Sequence, residues 1–165
     1  MYMNIILIGF MGSGKTSVAV KLAKKIKCNP YETDVLVLAR SGRKSIKEIF
    51  SHDGEIRFRE MEVEVAKELS KKNNAVISTG GGMVMNKLCI DYLKQNGTVI
   101  YLYATFEEIE KHLEGDTTRP LFTDIAAAKK LFQFRKKLYK QYADIAIITN
   151  GMSIEEIVNS IAKKI

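Results

Sequence analysis

The octapeptide GFMGSGKT, Gly9 to Thr16, constrains this chain more than any other stretch. It fits G-x-x-x-x-G-K-[ST] and stands between an apolar run, NIILIG at residues 4–9, and a segment with helical spacing through Val18, Leu22 and Ile26. Strand, glycine loop and helix in that order form a cradle for phosphate. Glycines let the backbone curl until successive N–H groups converge on phosphate oxygens, and the helix N-terminus adds partial positive charge. The expected nucleotide contacts are Gly12, Ser13, Gly14, Lys15, Thr16 and Ser17. Lys15 is expected to reach the β- and γ-phosphates. The Thr16 hydroxyl is expected to ligate Mg²⁺, which takes oxygen ligands and keeps several waters. The cradle says where phosphates sit and leaves open where the last one goes.

Beyond the loop, strand-like and helix-like stretches alternate to the end of the chain. Extended segments are expected at 30–33, 75–79 (AVIST), 98–104 (TVIYLYA) and 144–149 (DIAIIT). Helices are expected at 15–27, 34–41, 55–71, 86–95 and 124–142. Capping-box patterns start further helices at Ser45…Glu48, Thr105…Glu108 and Ser153…Glu156. Residues 114–123, EGDTTRPLFT, have no period and read as a mobile loop. The alternation predicts an α/β fold with a parallel sheet covered by helices on both faces. Ligands in such sheets bind beyond the carboxyl ends of the strands.

The 165 residues fit one domain, and no apolar run approaches the roughly 20 residues of a membrane helix. The apolar start, MYMNIILIGF, lacks a basic n-region and a small-residue cleavage site, so it reads as a first strand. Cys28 and Cys89 are far apart and suggest reduced packing residues in a cytoplasmic protein. The net charge of +7 comes from lysines spread over the polar sides of helix-like segments. That pattern fits a solvated surface or an anionic small molecule better than nucleic acid. FQFRKKLYKQY, 132–142, mixes basic and aromatic residues, but helical spacing puts its aromatics largely on one apolar face.

Four features bear on the acceptor. In ETD, 32–34, Glu32 and Asp34 at i and i+2 of an extended segment point the same way. One can order Mg²⁺-bound water while the other grips an acceptor; a solvated pair is the plain alternative. In RFREMEVE, 57–64, Arg59 can turn inward and bind a carboxylate bidentately, or remain a surface charge. In STGGG, 78–82, Gly80, Gly81 and Gly82 permit close backbone approach to a ligand and donation of N–H groups, or form a tight connection. In DTTRPLF, 116–122, Arg119 can stabilise charge on the γ-phosphate when the loop closes.

Glycine loop, acidic pair, F-R, GGG, R-P-L and a later R-x-x-L-Y (135–139) occur in order across almost the whole chain. This ordered set resembles the shikimate kinases, of the nucleoside-monophosphate-kinase-like branch of P-loop folds. The resemblance implies a three-layer fold on a five-stranded parallel sheet, with a lid at about 112–124. It implies transfer of the ATP γ-phosphate to the 3-hydroxyl of shikimate, with one Mg²⁺, in a monomer. Lys15, Asp34 and Arg119 would then be catalytic, with Asp34 as base or orienting carboxylate. Arg59 and Arg135 would bind the shikimate carboxylate, and Gly80–Gly82 would line the same pocket. Three positions depart from the family pattern: Glu32 for aspartate, Lys137 for proline, and His112 for a second lid arginine. A related kinase for a sugar acid or a nucleoside monophosphate is the runner-up. A GTP-dependent switch lacks its N-K-x-D here.

Overall fold

A computed structural model describes residues 3–113 and 124–165. Strand β1 (Asn4–Ile8) is buried throughout and gives two cores their centre. Because strand side chains alternate between faces, Ile6 and Ile8 enter one apolar cluster while Ile5 and Leu7 enter another. A strand apolar on both faces belongs in the middle of a covered parallel sheet, and β1 lies there. Strands β2 (Asn29–Glu32), β3 (Ala75–Ser78), β4 (Gly97–Tyr103) and β5 (Ile145–Ile148) complete an all-parallel sheet in the order β2-β3-β1-β4-β5, with β3 and β4 paired directly to β1. The register sets Ile5 beside Val76 and Thr98, and Leu7 beside Ser78 and Ile100. The strand order moves outward on one side and then the other from β1, so the crevice at its carboxyl end is a topological switch point.

Helices α1 (Lys15–Ile26) and α8 (Ile154–Ala162) cover one face through Val18, Leu22, Ile157 and Ile161. The other face carries α4 (Gly54–Leu69), α5 (Lys87–Lys94), α6 (Phe106–Leu113) and α7 (Ile125–Tyr142). Full burial of a side chain such as Leu22 contributes about 1.5–3 kcal/mol. The capping signals act at the expected places. At α8, Ser153 and Glu156 bond reciprocally, and at α6 the Thr105 hydroxyl accepts from the Glu108 N–H.

Three local expectations change. Thr33 opens α2 (Thr33–Ser41), so Asp34 lies in a helical first turn and not on an extended segment. The i,i+2 argument for Glu32 and Asp34 therefore fails, although the two still share one cavity. The helix capped by Ser45 is only α3 (Ile46–Glu48), followed by one wide helical turn at Ile49–Asp53. The Glu48 N–H donates to the Ser45 hydroxyl, but the Glu48 carboxylate accepts from the Lys44 N–H rather than from that of Ser45, so the box is half formed. The aromatics of 132–142 lie largely on one face, with Phe132 and Tyr139 buried, and Phe134, 53% exposed, is the exception.

Candidate active site

The loop between β1 and α1 closes on its own lysine. Gly14 caps α1 with φ +83°, a left-handed conformation that suits glycine. The buried Lys15 ammonium donates to the carbonyls of Gly9 (2.8 Å) and Phe10 (2.9 Å). A phosphate would compete with these neutral carbonyls for the cation, because it adds the attraction of opposite full charges. Helix α6 packs on the same loop. The His112 Nδ1–H donates to the Gly12 carbonyl over 3.0 Å, and a Cβ at Gly12 would meet the Leu113 side chain at 2.9 Å.

A cavity of about 420 Å³ opens at the carboxyl ends of the strands. Its walls include Gly12, Gly14, Lys15, Thr16 and Ser17 from the loop and the start of α1, Glu32 from the end of β2, Asp34 from the first turn of α2, Gly80–Gly82 after β3, and Arg135 from α7. The size suits a small molecule. A Cβ at Gly81 would stand 3.4 Å from the Met11 N, so the glycine turn abuts the phosphate loop. Of the expected residues, Ser13 is buried within the loop and does not line the cavity. Arg59 lines an adjoining hollow and reaches the site from behind Gly82. Arg119, and most of the lid expected at 112–124, lie outside the described residues.

None of the three glycines has a positive φ, and crowding marks Gly80 and Gly82. A Cβ at Gly80 would collide with the Asp34 carboxylate. At Gly82 it would stand 2.9 Å from Arg59 and 3.2 Å from Arg135. One N–H group of the turn is engaged within the protein itself. The Gly80 N–H donates to the Thr33 hydroxyl over 2.8 Å, tying the turn to α2 beside Asp34.

Two guanidinium groups converge behind Gly82 in unlike states. Arg59 donates to Glu62 at 2.8 Å and to Glu55 at 3.1 Å. Burial works against its charge, but these carboxylates more than offset that and raise its pKa. Glu62 is 1% exposed; burial raises its pKa above the ordinary 4.5, and Arg59 only partly counters it. Arg135 is buried, and among the described residues its Nε has no hydrogen-bond partner. Burial foremost lowers its pKa. A buried guanidinium with an unmet donor asks for an anion. Sequence reasoning missed Glu62 and Thr33. The i,i+3 spacing of Arg59 and Glu62 in RFREMEVE was a usable signal, whereas nothing local marked Thr33.

The family profile described as shikimate kinase matches residues 11–165. A shikimate kinase from Enterococcus faecalis is 42% identical, with 98% of each chain covered. The chain belongs to the shikimate kinase family. A second family member, from Bacillus mycoides, is 38% identical over 98% of both chains. Among solved structures, shikimate kinase from Acinetobacter baumannii in complex with shikimate superposes with a TM-score of 0.92 at 31% identity, covering 99% of this chain and 93% of that one. The Aquifex aeolicus shikimate kinase gives 0.86 at 38% identity, covering 98% and 95%. Two departures from the family pattern take definite form in the structure. Helix α7 runs unbroken through Lys137, and His112 is bonded to the phosphate loop.

Proposed function

We propose that the chain transfers the γ-phosphate of ATP to the 3-hydroxyl of shikimate, giving shikimate 3-phosphate and ADP, a step toward aromatic amino acids. One observation carries the reading. A phosphate loop, a carboxylate at Asp34 and an unsatisfied buried guanidinium at Arg135 face one cavity. A donor with a triphosphate and an acceptor with both a hydroxyl and a carboxylate match that set of charges. The shikimate-bound relative supports the choice of acceptor.

In this reading Gly12, Gly14, Lys15, Thr16 and Ser17 hold the triphosphate, with Ser13 shaping the loop from within. Arg135 and Arg59 hold the acceptor carboxylate against the Gly80–Gly82 turn. Asp34 orients the acceptor hydroxyl. Its oxygen attacks the γ-phosphorus, the bond to the β–γ bridging oxygen breaks, and ADP leaves. The proton passes to Asp34 or to the transferred phosphoryl group. Positioning and charge stabilisation supply most of the catalysis in such transfers. Arg119 keeps its sequence-derived role as charge stabiliser; Arg119→Ala should then lower turnover far more than shikimate affinity.

The donor set around Thr16, Glu32 and Asp34 is all oxygen and sparse, which fits Mg²⁺ with several retained waters. Bound there, Mg²⁺ would neutralise phosphate charge, with Thr16 as ligand and Glu32 acting through water. No helix among the described residues is long and apolar enough to cross a membrane. A monomer in the cytoplasm, without nucleic acid, completes the proposal.

The deciding experiment is a coupled ADP-release assay with Mg-ATP and a panel of shikimate, gluconate and AMP. Turnover is expected on shikimate, with gluconate and AMP nearly untouched. Turnover on AMP or gluconate without shikimate would overturn the proposal in favour of a related small-molecule kinase.

A further inference from the structure

Tyr139 closes the R-x-x-L-Y segment, and the transfer reaction as described makes no use of it. Its ring is 0% exposed and packs against Tyr101, with centroids 5.1 Å apart. If packing were its whole purpose, phenylalanine would serve, because a buried hydroxyl is costly unless it is bonded. The hydroxyl is bonded: it donates to the Gly81 carbonyl over 2.6 Å. One turn earlier on α7, Arg135 stands at i−4 on the same helix face. Its guanidinium lies against Gly82, close enough to the Tyr139 hydroxyl for the two groups to interact electrostatically. Two residues one turn apart on a single helix thus grip two successive glycines. Tyr139 takes Gly81 by its carbonyl, and Arg135 backs Gly82.

We propose that Tyr139 is a positioning residue for the phosphoryl acceptor. Its hydroxyl fastens the Gly80–Gly82 turn to α7 and orients the Arg135 fork, so that the carboxylate site is formed before the acceptor arrives. This rests on the acceptor reading given above. The physical gain is preorganisation. A guanidinium on a long side chain loses rotamer freedom when it binds, and a fork already aimed loses less. The turn itself is a short piece of backbone, held inside by the Met83 N–H to Gly80 and Met85 N–H to Gly82 bonds and outside by Thr33 and Tyr139.

The test is Tyr139→Phe in the full chain, which keeps the ring and removes the hydroxyl. The KM for shikimate is expected to rise roughly tenfold, equivalent to about 1.4 kcal/mol. The KM for ATP should stay within twofold and the thermal midpoint within a few degrees. Backbone amides at 80–85 should exchange with solvent roughly tenfold faster, while those of β1 are unchanged. An unaltered shikimate KM would sink the proposal. So would an equal rise in both KM values with a lowered midpoint, which would make Tyr139 a plain core residue. If the wild-type chain fails to phosphorylate shikimate, the acceptor reading and the positioning role fall together, and the exchange rates at 80–85 then test only whether the Tyr139 hydroxyl fastens the turn: unaltered rates overturn that too, and faster ones uphold it.

Discussion

A methyl group at residue 82 would stand 2.9 Å from one guanidinium and 3.2 Å from another. The acceptor site is therefore shaped by atoms that are left out as much as by those present. The same economy applies to charge. Arg59 is compensated by Glu62 and Glu55, whereas Arg135 shows an unmet donor. Replacing Asp34 by asparagine keeps the shape beside Gly80 and removes the charge. Turnover should fall by about 10²–10⁴-fold while ATP affinity, measured by calorimetry, stays within twofold; near-normal turnover would remove Asp34 from the mechanism. Glu62 separates stability from function. Its folded pKa is raised, so its protonated form stabilises the fold fully below about 4.5 and that contribution is lost as pH rises through the folded value. Glu62→Gln stays neutral, so it should gain thermal midpoint relative to wild type between pH 5 and pH 8. The shikimate KM should meanwhile rise several-fold, because Arg59 loses a charged anchor. A variant less stable at pH 8 than at pH 5, each against wild type, would refute this assignment.

At the scale of elements, the opposite ends of the strands do different work. Their carboxyl ends form the cavity, and the amino end of β1 is fastened by Asn4. That side chain is 1% exposed; it accepts from the Ala75 N–H (3.1 Å) and donates to the Lys72 carbonyl (2.8 Å). Asn4→Ala leaves buried backbone groups unpaired and should cost about 2 kcal/mol, roughly 4–8 °C in thermal midpoint. kcat and both KM values at room temperature should hold; a change in them would mean that strain travels along β1 to the loop. Five strands and most helices were legible before any coordinates, because buried runs such as IILI and VIYL and the caps at Thr105 and Ser153 are local signals. The wide turn at Ile49–Asp53 was not. It depends on how α2 and α4 meet the sheet, which no short window of sequence encodes. The site was legible as residue types, Asp34, Arg59, Gly80–Gly82 and Arg135. The pairing state of each arginine was not, because it depends on a carboxylate buried one turn along α4.

Across the whole molecule, the cavity collects residues from the first loop to the penultimate helix, so a ligand held there would touch segments more than 100 residues apart in sequence. The stacked Tyr101 and Tyr139 rings join the central sheet to the glycine turn, with planes 30° apart. The chain has seven tyrosines and no tryptophan. Its near-ultraviolet spectrum is accordingly free of indole bands, and a rigidly stacked tyrosine pair should dominate the circular dichroism there. Shikimate titrated into the protein should change that tyrosine signal and saturate at the calorimetric Kd, and Tyr139→Phe should abolish most of the change. A silent spectrum on saturation would mean that the pair does not sense the turn. A spectrum that changes with shikimate would make the packing that seals the core a built-in optical reporter of acceptor binding as well, with no dye or engineered probe.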